Sequence, residues 1–64
     1  MEKILDHYLE KIERHLKPLP VSERVDIVKE IKSEMLELLD AGKTSEEIMN
    51  RLGEPKDLAK AYLG

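Results

Sequence analysis

The chain has no cysteine, no tryptophan and no phenylalanine. The first absence excludes disulfides, the staples on which many small secreted domains rely. It also removes the thiolate ligands of a structural zinc cluster. The other two leave a core of Leu, Ile, Val, Met and Ala, with two tyrosines as the sole aromatics. No apolar run reaches the roughly 18 residues of a membrane-crossing helix. Glu2, Lys3, Asp6 and Glu10 interrupt the N-terminus, so it lacks the apolar centre of a signal peptide. A cytoplasmic location is the default expectation. A basic excess is missing too: 14 acidic against 11 basic side chains give a net charge of -3. That balance suits solubility and argues against non-specific nucleic-acid binding. The three glycines read as helix stops or as the chain end, and none belongs to a phosphate-cradling loop.

What is present is one domain's worth of chain, 64 residues. A domain this small buries only about 60% of its unfolded surface. Oligomerisation or attachment to a larger protein is a common way to supplement so small a core.

The longest helical pattern runs from about Val21 to Ala41. At roughly 100° per residue, Val21, Val28, Met35 and Leu39 fall on one line. Val25 and Leu36 flank it on one side, and Ile27, Ile31 and Leu38 on the other. This apolar arc covers about half the circumference, wider than the ~100° stripe of a helix resting on one neighbour. The pattern predicts that this helix organises the fold and touches partners on both flanks. Asp26, Glu30, Ser33, Glu37 and Asp40 make up the opposite, solvated face.

The other segments have clear punctuation. Ile4, Leu5, Tyr8, Leu9, Ile12 and Leu16 recur at three- and four-residue steps and predict a first helix over 2–17. Pro18 ends it by excluding Lys17 from the helical region. Glu10 and Arg14 have the spacing of an i,i+4 ion pair. Pro18-Leu19-Pro20 is a stiff corner, with Leu19 placed to plug the end of the core. Either Pro20 as first residue or Ser22 as N-cap can open the long helix. Gly42 suits the left-handed position that closes it. Thr44 and Glu47 then form a capping box that opens a third helix over 45–52, with Ile48, Met49 and Leu52 facing inward. Gly53 stops that helix, and Pro55 starts a fourth over 55–63 with Leu58, Ala59 and Tyr62 on one face. The expectation is an all-α bundle of three to four helices. The first folds back antiparallel on the second, and both short helices pack on the second helix's other flank.

Each chemical feature has a plain structural reading. Glu23 favours the positive end of a helix dipole, and Arg24 is expected to tie the long helix to a neighbouring carboxylate. His7 and His15 lie about two turns apart, without the i,i+4 spacing or supporting ligands of a metal site. The carboxylates of the long helix sit on a convex face, not in a pocket that separates their pKa values. Ser22, Ser33, Thr44 and Ser45 have capping or surface roles. The third and fourth helices have the look of a helix-turn-helix, whose recognition helix would offer Lys56 and Lys60. It has no Arg, Asn or Gln for bidentate base reading.

Five short motifs occur in order: Leu19-Pro20-Val21-Ser22-Glu23-Arg24, Gly42, Ser45-Glu46-Glu47, Leu52-Gly53-Glu54-Pro55 and Leu58-Ala59. In this ordered set the chain resembles the HAAS domain family. It departs from many members at Ile31-Lys32-Ser33-Glu34, where they carry an aromatic residue and a His near an acidic pair. The resemblance implies an all-helical cytoplasmic module without known catalysis. Such domains commonly precede transmembrane helices and are often encoded beside PadR-like transcription regulators, which suggests signalling or regulation. In a protein of that kind a membrane segment would begin near Gly64.

The sequence therefore points to a non-enzymatic interaction or signalling module with no catalytic, cofactor-binding or metal-ligating residues. Its partner is expected to be another protein or an attached membrane domain, with Leu19, Glu23, Arg24, Asp26, Glu30 and Glu37 as the docking surface. The alternatives are a small DNA-binding regulator that uses Lys56 and Lys60, and a stand-alone homodimer.

Overall fold

A computed structural model describes residues 1–64. Four helices follow one another without strands: α1 (Lys3–His15), α2 (Val21–Asp40), α3 (Ser45–Leu52) and α4 (Pro55–Leu63). At about 1.5 Å per residue, α2 is about 30 Å long and accounts for most of the 33 Å long axis.

The helix ends follow from local chemistry. α1 stops at His15, before the expected Lys17. The Leu16 N–H bonds to Ile12 and Glu13, and the Lys17 N–H bonds to Arg14. The chain tightens into i→i+3 bonds ahead of Pro18. α2 begins at Val21, directly after the extended Pro20. At its other end the Gly42 N–H bonds to the Leu39 carbonyl and the Lys43 N–H to the Leu38 carbonyl, each at 3.0 Å. This is the Schellman pattern, and Gly42 supplies its φ of +88°. The Thr44–Glu47 capping box is formed on both sides: Glu47 N–H to the Thr44 hydroxyl at 3.1 Å, Thr44 N–H to the Glu47 carboxylate at 3.0 Å.

The core corrects the expected hub. Of its nine buried apolar residues, Leu5, Tyr8, Leu9, Ile12 and Leu16 come from α1 and its tail. α2 adds only Ile31 and Met35, α3 adds Ile48, and α4 adds Ala59. α1, not α2, is the central element, and it touches all three other helices. The short helices do not share a flank of α2: α3 touches both α1 and α2, whereas α4 packs chiefly on α1. Ala59, fully buried, has a side chain small enough to let the α4 backbone come close. Leu19 is half-buried and packs against the core.

Two long-range hydrogen bonds fix the arrangement. The Ser45 hydroxyl donates to the Glu2 carboxylate and joins the start of α3 to the start of α1. Because Ser45 follows closely on the end of α2, this contact also shows that α1 and α2 run antiparallel. The Tyr8 phenol donates to the Gly53 carbonyl and pins the α3–α4 junction to the middle of α1.

Candidate interaction surface

The apolar arc of α2 is only half used. Its buried side centres on Ile31 and Met35, with Ile27, Val28, Leu38 and Leu39 packed partly against the core. About 60–120° around the helix from that centre, at 100° per residue, a second line faces solvent. It consists of Val21 (65% exposed), Val25 (48%) and Leu36 (48%), with exposed Lys32 between them. Val21 and Val25 adjoin one turn apart, and Leu36 lies about three turns further along the same face. The sequence pattern placed Val21 at the centre of the inner face. The structure moves it outward, because α1 and α3 together cover only the Ile31 side of the arc.

The surface residues named from sequence are spread around this stripe. Asp26, Glu30 and Glu37 are exposed on its acidic side. Glu23 is exposed in the first turn of α2. Arg24 is half-buried toward α1 and lines a cleft with Glu10, Glu13, Arg14 and Lys17. The carboxylate partner expected for Arg24 is not there: its Nε is out of contact with solvent and has no hydrogen-bond acceptor. Glu10 does not pair with Arg14 either, since its carboxylate stands 3.9 Å from His7 Nδ1 instead. Lys56 and Lys60 are exposed on α4, with exposed Asp57 beside them. No three of the His, Asp and Glu side chains gather into a group that could hold a metal ion.

Three groups carry shifted pKa values. Burial, and then the charge of Glu54, push the Tyr8 phenol up from its ordinary value. Burial also raises Tyr62, with help from Glu30 and then Glu34, which places the end of α4 near the middle of α2. The hydrogen bonds from the Thr44 backbone and side chain hold the Glu47 carboxyl below its ordinary value. Both tyrosines therefore remain neutral at physiological pH. The Tyr8–Gly53 and Glu2–Ser45 contacts escaped the sequence reading, for neither pair has a spacing that local periodicity detects. The exposed stripe was legible only as excess width of the α2 arc.

The HAAS family model matches residues 7–61 of the chain. No curated protein and no solved structure matches it. No helix is long and apolar enough to cross a membrane.

Proposed function

The chain belongs to the HAAS family, and we propose that it is a non-enzymatic protein-interaction module that docks its partner on the outer face of α2. The observation that carries this reading is the exposed line Val21, Val25 and Leu36 on the longest helix. The inner face of that helix already serves the core. Burying an exposed Val or Leu contributes about 1.5–3 kcal/mol, so three such residues can anchor a modest interface. The acidic side formed by Asp26, Glu30 and Glu37 supplies orientation and selects against acidic surfaces there, since like charges are disfavoured. Signalling then means that the partner reports the state of whatever it is attached to.

The test is site-specific crosslinking in source cells, with a photoreactive residue at position 25 and a control at position 11 on α1. The expected result is one discrete adduct from position 25 alone, identified by mass spectrometry. The purified adduct protein should bind the full chain, and Val21→Ser, Val25→Ser and Leu36→Ser together should abolish that binding with the fold retained. Binding that the triple variant leaves unchanged overturns the reading.

A further inference from the structure

We propose that the partner docks on the outer face of α2 with an amphipathic helix that carries two acidic residues opposite Lys29 and Lys32. The inference rests on the docking reading above and names the chemistry of what docks. Charge on α2 is sorted by face. Its six carboxylates, Glu23, Asp26, Glu30, Glu34, Glu37 and Asp40, are all exposed. At 100° per residue they fall within one arc of about 120°. Lys29 and Lys32 stand outside that arc, both exposed. They share a face about 80° wide with Val21, Val25 and Leu36. In a chain of net charge -3, the apolar stripe is therefore the cationic side of its helix. The residues three and four places from Lys32 are Val28, Lys29, Met35 and Leu36, none of them acidic. Asp26 lies three places from Lys29, yet the one ion pair in the molecule joins His7 to Glu10.

These two lysines decide what can cover the stripe. An exposed lysine lays its methylenes along apolar neighbours and keeps its ammonium in water. A purely apolar partner pressed on Val21, Val25 and Leu36 would strip that water and put nothing in its place, which is costly. Carboxylates at the same level replace it with charge-assisted hydrogen bonds. A second copy does the opposite. Antiparallel pairing of Val25 with Leu36 across a two-fold axis also pairs Lys29 with Lys32, so like charges meet. An anionic bilayer is flat and would meet Asp26 and Asp40 beside the stripe as well as the lysines. Val21 to Leu36 span about 22 Å, which a partner helix of about 16 residues covers. Its acids lie three or four places apart near the middle, on one face.

The test uses the full chain in source cells, with the photoreactive residue at position 25, and compares charge variants. Lys29→Glu with Lys32→Glu should reduce the adduct about tenfold, because close charge pairs become repulsive. Lys29→Gln with Lys32→Gln, which adds no acid, should weaken it as well, and Lys29→Arg with Lys32→Arg should keep it. Lys56→Glu with Lys60→Glu changes the net charge equally at two exposed positions on α4 and should leave the adduct unchanged. Mass spectrometry should place the crosslink in a segment of another protein, with Asp or Glu three or four places apart among apolar residues at helical spacing. An adduct that survives charge reversal, or one on a segment without acids, overturns this inference while the docking reading stands. No adduct in any background overturns the docking reading, and this inference with it. Equal loss in the α4 variant overturns the assignment to Lys29 and Lys32. An adduct between two copies overturns the separate partner. Binding of the purified chain to phosphatidylglycerol vesicles that Lys29→Glu with Lys32→Glu abolishes overturns the acidic helix in favour of a lipid surface.

Discussion

The phenol of Tyr8 donates a hydrogen bond to the carbonyl of Gly53, 45 residues further along the chain. Gly53 ends α3 with a φ of +88°, so one bond ties the middle of α1 to the turn that launches α4. Tyr8→Phe removes the bond and keeps the ring. Stability should fall by about 1 kcal/mol, the net worth of a typical hydrogen bond, as measured by urea unfolding.

The same residue sets an alkaline limit. Its pKa is raised above the ordinary 10.0, so the folded state holds the proton more tightly than the unfolded state. Its contribution is fully present below about pH 10 and is lost as pH rises through the higher folded value. Thermal melts from pH 8 upward should show wild type losing stability above about pH 10 more steeply than Tyr8→Phe. Parallel curves would mean that Tyr8 is not buried in its neutral form.

The role of α1 as hub has a direct readout. Ile12 is fully buried, and Ile12→Ala should cost about 2–5 kcal/mol. That range rivals the whole stability of a small domain. Ile4, on the same helix but half exposed, should cost less than about 1 kcal/mol on the same change. Circular-dichroism melts of the two variants decide the matter, and equal losses would contradict the burial pattern.

Gly42 isolates a backbone effect. A β-carbon there would meet nothing within 4 Å, yet φ is +88°. Gly42→Ala should therefore destabilise by about 1–2 kcal/mol from backbone strain alone. A crystal structure of the variant should show the Schellman turn rearranged and not a displaced neighbour.

The α3 cap should respond to mutation and to acid. Thr44→Ala removes the acceptor for the Glu47 N–H and should cost about 0.5–2 kcal/mol. The pKa of Glu47 is lowered below its ordinary 4.5. Its contribution is thus present above about pH 4.5 and is lost as pH falls through the folded value. Amide protection factors in α3, corrected for the intrinsic exchange rate at each pH, should fall below that pH in wild type, and the effect should be weaker in Thr44→Ala.

The features legible in the sequence are those with local causes. Pro18, Gly42, the Thr44–Glu47 box and Pro55 act on their immediate neighbours, so the four-helix pattern can be read from the residues alone. The α1 periodicity also picks out Ile4, Leu5, Tyr8, Leu9, Ile12 and Leu16, and all of these but the half-exposed Ile4 are buried. Which helix occupies the centre was a tertiary decision. α2 is apolar over about half its circumference, and nothing in its periodicity says which part its neighbours will cover. Tyr8–Gly53 and Glu2–Ser45 set α3 and α4 against α1, which leaves Val21, Val25 and Leu36 in solvent. The same packing left Arg24 without its expected carboxylate, because ion pairs depend on side-chain placement that residue spacing alone does not determine.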